Sequence, residues 1–188
     1  MRELLAAAAP LAGTPGEEYV ERRGIPVAVA QAAGVRYAAD WDGRPAVIIG
    51  LYDREGELVS IHGRHFHVVR GQDKMHTIGP GGGVIEVLGG WHVDPLIVVE
   101  GLFDALSLAV CGRACVATIG RAVPWLADVA AGRSAYIAFD NGRSGDASAA
   151  RLAFGQRIHP PGRSLDWNTA LVKRGRAVVM RHLEESIR

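Results

Sequence analysis

With two cysteines in 188 residues, this chain has neither a disulfide framework nor the four-ligand set of a structural zinc. Cys111 and Cys115 sit four apart, but their neighbours are apolar. They read as small core residues, Cys111 ending a helix and Cys115 lying in the next strand. Lysine is nearly absent, with only Lys74 and Lys173, so arginine supplies almost all the positive charge. No run of about eighteen apolar residues occurs, which excludes a membrane-spanning helix. No Gly-x4-Gly-Lys-Ser/Thr sequence occurs either, which excludes a P-loop ATPase. The stretch Met1 to Pro10 lacks the long apolar centre of a signal peptide and reads as the first turns of a helix. The expected setting is cytoplasmic, with no membrane partner.

Charge says little by itself. The formal net charge is +1. Residues 1–90 carry 9 basic and 11 acidic groups, net −2, and residues 91–188 carry 12 and 9, net +3. Arginine suits bidentate phosphate contacts, but a balance this close to neutral does not announce a nucleic-acid partner.

Periodicity divides the chain in two. Residues 15–33 are helical in pattern, split by Gly24 and restarted at Pro26. Two strands follow, Ala46–Tyr52 and Glu57–Val69, joined by the turn Asp53-Arg54-Glu55-Gly56. A glycine loop covers 79–83, and Val84–Leu88 is a short strand. Gly89-Gly90 then marks a boundary, giving expected domains 1–90 and 91–188. Beyond it, apolar strands at 96–100, 114–118 and 134–140 alternate with helical stretches at 103–111, 123–131 and 144–154. That order predicts an α/β fold with a parallel sheet flanked by helices.

Two of these strands end in a carboxylate. Ile97-Val98-Val99 runs into Glu100, and Ile137-Ala138-Phe139 runs into Asp140. Continuous apolar runs of this kind are buried parallel strands, and ligands of open α/β sheets bind at the strands' carboxyl ends. Glu100 and Asp140 are therefore expected at neighbouring tips over one crevice. There they repel unless a proton or a hard cation such as Mg²⁺ joins them. Gly101 lets a ligand approach the backbone. The plainer reading of Glu100 is a cap on the following helix. Asp104, four residues on, faces the crevice or favours its helix N-terminus. Asp140 is costly to bury alone, and Asn141 beside it is placed to orient a substrate.

The run Val98-Val99-Glu100-Gly101-Leu102-Phe103-Asp104-Ala105-Leu106, with Phe139-Asp140-Asn141, resembles the Toprim domain of DnaG-like primases, topoisomerases and some nucleases. One departure stands out. The family pattern is Asp-x-Asp-x-x-Gly, and here Gly142 occupies the second aspartate's place in Asp140-Asn141-Gly142-Arg143-Ser144-Gly145. A missing carboxylate weakens a second metal site, since two-metal chemistry needs several carboxylates around ions about 3.5–4 Å apart. Asp146 is near but off the family spacing. Pro161-Gly162-Arg163-Ser164-Leu165-Asp166 loosely resembles a later stretch that adds an acidic group to the cluster. Asp166 is equally suited to be the N-cap of the helix it precedes.

The first half resembles the basic subdomain that precedes Toprim in DnaG-like primases. The residues that carry this are Asp53 to Gly56, then Ile61-His62-Gly63-Arg64, then Lys74 opening a short strand. The resemblance implies that Arg64 and Lys74 contact template or nucleotide phosphates. His62, His65 and His67 suggest a metal cluster, but no fourth ligand is near. A half-exposed strand, with His65 and His67 on one face, accounts for them better. The Gly79–Gly83 loop reads as a mobile connector rather than a phosphate cradle.

The fold class expected is thus α/β, a C-terminal Toprim domain after a small α+β basic subdomain. The resemblance implies primer synthesis by nucleotidyl transfer on single-stranded DNA from nucleoside triphosphates. Mg²⁺ or Mn²⁺ would be held by Glu100, Asp140, Asp104 and Asp166, with Asn141 at the nucleotide. The absence of a zinc module and an ATPase suggests a phage-, plasmid- or mobile-element-type primase, or a fragment of a larger protein, with a replicative helicase as a partner. The alternatives are a Toprim nuclease and a non-catalytic nucleic-acid-binding module, for which Gly142 is the best argument.

Overall fold

The computed structural model describes residues 1–187. It divides into two compact units, 1–83 and 84–188.

In the first unit, three short helices, α1 (Arg2–Ala7), α2 (Pro15–Glu21) and α3 (Val27–Ala32), precede a four-stranded antiparallel sheet. Its strands, in spatial order, are β1 (Arg36–Trp41), β2 (Arg44–Tyr52), β3 (Leu58–His65) and β4 (Met75–Ile78). Pro15 opens α2 behind the Thr14 cap, a placement that uses proline's missing N–H without loss. The β2–β3 hairpin closes where expected. Asp53 Oδ1 accepts from the backbone of Glu55 and Glu57 at 3.1 and 2.8 Å. Strand β1 carries no strict alternation, and the sequence pattern missed it.

The core of this unit forms around Trp41, Ala46, Ile48 and Ile61. Trp41 packs closely on Gly63, where a Cβ would come within 2.1 Å of the indole nitrogen. That nitrogen donates to the His76 carbonyl at 3.1 Å.

The histidines correct the half-exposed strand. His62 and His65 are buried, and His67 is exposed beyond the end of β3. His62 Nδ1 shares a hydrogen bond with Thr77 Oγ1 at 2.9 Å. The Gly79–Gly83 loop is exposed at Gly79, Pro80 and Gly82 but touches β3 closely at its two ends. A Cβ at Gly79 would lie 2.4 Å from the Val59 carbonyl oxygen, and Gly81 N–H donates to Ser60 Oγ at 3.0 Å.

In the second unit, β5 (Ile85–Val87) pairs antiparallel with β7 (Cys115–Ala117). Residues 84–88, which precede Gly89-Gly90, therefore pack with the second compact unit. Next come β6 (Leu96–Val99), α4 (Leu102–Val110), β7, α5 (Trp125–Ala130), β8 (Ala135–Ala138), α6 (Arg143–Ala150), β9 (Gln156–Arg157), α7 (Trp167–Arg174) and α8 (Arg176–Ser186). The sheet order is β5-β7-β6-β8-β9, and the four strands after β5 run parallel. Strands β6 and β8 are wholly buried, as a sheet covered on both faces requires. Leu96 and Val98 point into a cluster with Val116, Leu126, Ala130, Ile137 and Ala149. Ile97 and Val99 alternate to the opposite face, where α4 packs against α7.

Candidate active site

The parallel register of β6 and β8 pairs Val98 with Ile137 and Val99 with Ala138. Glu100 follows β6 directly and Asp140 follows β8 after Phe139, at adjacent carboxyl ends. Between Glu100 and the next strand tip lies a turn that sequence reasoning missed. Thr118 N–H donates to the Val99 carbonyl at 3.2 Å, and Arg121 N–H to the Thr118 carbonyl at 3.0 Å. Ile119 has φ of 49° and Gly120 φ of 69°. A β-branched residue in the left-handed region is strained, and such strain gathers at functional sites. Gly120 brings this turn beneath Glu100, whose Oε1 would lie 3.8 Å from a Cβ there. The half-buried Glu100 carboxylate has no hydrogen-bond or ion-pair partner among the described residues.

Asp140 is in a different state. Its Oδ1 is sealed from solvent and unpaired among the described residues. Burial first, then the charges of Glu100 and Asp166, push its pKa up to about 6, against a smaller pull from Arg157. Arg157, another residue the sequence did not single out, fastens the strand end from below. Its guanidinium donates to the carbonyls of Asp140 (2.6 Å), Phe139 (2.7 Å) and Ile137 (3.2 Å). It also pairs with Asp146 at 3.1 Å. Asp146 is therefore engaged with Arg157.

Asp104 is buried, and one of its oxygens holds another element. Oδ1 accepts from the backbone N–H groups of Trp167 (3.0 Å) and Asn168 (3.3 Å), at the start of α7. The first-turn position on α4 points it there, and Gly101 makes room: a Cβ at Gly101 would lie 2.9 Å from Asp104 Oδ2. This is the physical content of the Glu-Gly-x-x-Asp spacing. Burial, then the charges of Asp140 and Asp166, raise the Asp104 pKa to about 8, with the two N–H donors opposing. Asp166 is the N-cap of α7 and accepts from Thr169 N–H. Its charge still reaches both Asp104 and Asp140.

Asn141 is turned toward the 160–166 loop. Its N–H donates to the Leu165 carbonyl at 2.7 Å, and its amide nitrogen donates to the Ser164 carbonyl at 2.6 Å. Its Oδ1 meets His159 Nδ1 at 2.9 Å. Trp167, fully buried, donates from Nε1 to the Ala138 carbonyl at 2.8 Å. Together these bonds hold the loop bearing Asp166 against the end of β8.

Gly142 has φ of 101° and ψ of 175°, a region populated essentially by glycine alone. A Cβ there meets nothing within 4 Å. The backbone conformation, rather than lack of space, selects glycine at this position.

Among the described residues no three His, Cys, Asp or Glu side chains converge tightly enough to enclose an ion. The donor chemistry nonetheless suits one hard cation. The groups are all carboxylate oxygens, as Mg²⁺ and Mn²⁺ prefer, and the orphaned Asp140 Oδ1 and unpartnered Glu100 have ligating capacity left. Asp104 and Asp166 each spend an oxygen on helix N–H groups, and Gly142 supplies none. Arg64 and Lys74 lie in the first unit. Arg64 is half-buried opposite Met75 in the β3–β4 pairing, and Lys74 is exposed just before β4.

Residues 97–171 match the Toprim-like family. No curated protein matches the sequence. Among solved structures, the Aquifex aeolicus primase (zinc binding and RNA polymerase domains) has a TM-score of 0.74 at 18% identity, over 98% of this chain and 59% of that one. The primase fragment of the bacteriophage T7 primase-helicase protein has a TM-score of 0.65 at 19% identity, over 89% and 73%. A DnaG primase catalytic domain bound to ssDNA has a TM-score of 0.72 at 18% identity, over 98% and 77%. The chain thus spans well under two thirds of the Aquifex aeolicus chain. Over residues 97–171 the chain is similar to the Toprim-like family, and it has the fold of the DnaG-type primase catalytic cores.

Proposed function

We propose that this protein is a primer-synthesising nucleotidyltransferase that acts on single-stranded DNA with nucleoside triphosphates and Mg²⁺ or Mn²⁺. The observation that carries the reading is the pair Glu100 and Asp140. They sit at adjacent parallel strand tips, one without a partner and the other with a buried oxygen unpaired, in a fold shared with primase cores.

In this reading Glu100 and Asp140 hold the cation, and Asp166 contributes its remaining oxygen. A divalent cation bound there supplies charge neutralisation for a triphosphate and lowers the pKa of a primer hydroxyl. Asp104, through the N–H groups that its Oδ1 accepts, positions α7 and therefore Asp166. Arg157 keeps the Asp140 backbone in place, and Asn141 orders the 160–166 loop. Arg64 and Lys74 contact phosphates of the template or incoming nucleotide. A replicative helicase as partner, and domains at 1–90 and 91–188 as functional divisions, belong to the same proposal.

A second reading has one observation in its favour. The glycine-only backbone at 142 suits a module that binds nucleic acid without catalysis. Primer synthesis on mixed-sequence single-stranded DNA, with labelled nucleotides and either cation, separates the two. Short products that vanish in Glu100→Gln are expected. Template degradation that depends on Glu100 would point to a nuclease, and binding without either reaction to the non-catalytic module.

A further inference from the structure

On the α5 and α6 side of the second unit's sheet lies a cavity of about 350 Å³. This falls within the range of small-molecule sites, roughly 300–1,000 Å³. It opens beside the carboxyl ends of β7 and β8, next to the site described above but not part of it. Its wall is apolar and partly aromatic, with Val123, Phe139, Leu152 and Phe154. Two arginines, Arg121 and Arg151, complete the lining. Both are exposed, and neither guanidinium has a carboxylate partner among the described residues. Thr118, at the inner wall, is buried with its hydroxyl unpaired.

The composition selects a chemistry. Phe139 and Phe154 offer flat apolar surface, which favours a planar ring over a flexible chain. Two uncompensated guanidinium groups on the same cavity favour a negative charge and disfavour a cation. No acidic side chain lines the cavity. We propose that this cavity is a binding site for a small planar aromatic anion, separate from the carboxylate pair. The site shares the strained turn 118–121 with Glu100, and Phe139 immediately precedes Asp140. An occupant is therefore placed to shift both carboxylates. The inference does not depend on the protein being a nucleotidyltransferase.

The test uses the whole chain and 8-anilinonaphthalene-1-sulfonate, a planar aromatic sulfonate, as probe. Fluorescence titration gives affinity and stoichiometry, and backbone amide shifts in a ¹H–¹⁵N spectrum give location. The expected result is one saturable site, with shifts confined to residues 118–127, 148–154 and the tips at Glu100 and Asp140. The double variant Arg121→Gln, Arg151→Gln should bind about tenfold more weakly or worse, as loss of charge-assisted contacts predicts. Ala127→Phe, which fills the cavity from its exposed rim, should abolish binding while amide dispersion is retained. Shifts scattered over the molecule, an absence of binding, or unchanged affinity in the arginine variant would each overturn the proposal. The arginines are exposed and the wild-type shift map needs no variant, so a failure of Ala127→Phe to fold does not remove the test.

Discussion

Asp104 and Trp167 lie 63 residues apart, yet the Asp104 carboxylate accepts the first backbone N–H of α7, that of Trp167, at 3.0 Å. An aspartate on one helix therefore helps cap another. Asp104→Ala would leave two buried N–H groups without an acceptor and is expected to cost about 1–3 kcal/mol. Asp104→Asn keeps an acceptor oxygen of the same shape and should cost far less. Chemical denaturation of the two variants at neutral pH checks this. The alanine variant should also loosen the Asp166 loop, seen as faster amide exchange over residues 160–168.

The pH dependence of stability follows from the same carboxylate. The folded-state pKa of Asp104 is about 8 and its ordinary value 3.8. Between these values the folded protein holds a proton that the unfolded chain has released. Stability is then lost as pH rises. The Asp104 contribution is fully present below about 4 and gone above about 8. Asp140, at about 6, acts in the same direction over a narrower window. The melting temperature should fall from pH 5 to pH 8.5 in the absence of divalent cations. Asp104→Asn should flatten the upper part of that curve, and a wild-type curve that rises instead would contradict the assignment.

Glycines 142 and 145 make opposite demands and should answer alanine differently. At Gly142 the space is open and the backbone strained for any side chain. At Gly145 a Cβ would come within 2.0 Å of the Asp140 carbonyl oxygen. Gly142→Ala should cost about 1–3 kcal/mol from backbone strain alone. Gly145→Ala should cost more, because it pushes α6 away from the strand end that carries Asp140. Gly142→Asp should likewise destabilise, so adding back the family's aspartate is not expected to raise metal-dependent activity on this backbone. Thermal melts of the three variants, with cation binding measured on the third by calorimetry, settle the order.

The alternating strands and helices beyond residue 96 were legible because buried parallel strands leave unbroken apolar runs. The same runs put Glu100 and Asp140 at neighbouring tips. Asp104 was legible only as a choice between crevice and helix terminus. Its acceptor role belongs to a different helix, and contacts across 63 residues leave no local signal. The loop-holding contacts of Asn141, and Arg157 altogether, were hidden for a similar reason, since both work through backbone carbonyls. The strain at Ile119 could have been suspected only from the Ile-Gly pair after a strand, a weak mark of a turn. In the first half, β1 escaped because it shows no alternation that sets it apart from a loop, and the burial of His65 escaped because β3 is buried on both faces over residues 60–63 rather than half-exposed.

Arg157 offers the sharpest test of how the site is held. A single guanidinium contacts four carbonyls and one carboxylate. Lysine has the charge but not the planar fork, so it satisfies at most part of this set. Arg157→Lys should therefore destabilise by about 1–3 kcal/mol, because the part-buried carbonyls of Phe139 and Asp140 lose a charged donor while that of Ile137 keeps the Ile158 N–H. The altered geometry also weakens the one nearby charge that lowers the Asp140 pKa, which should then rise above its present value of about 6. Cation binding that requires ionised Asp140 should shift to higher pH by the same amount. Titration calorimetry with Mn²⁺ at several pH values checks this. A variant that loses stability with no shift in the binding profile would reduce Arg157 to a purely structural clamp. A shift without loss of stability would mean that the carbonyls find other donors and that the charge is what matters.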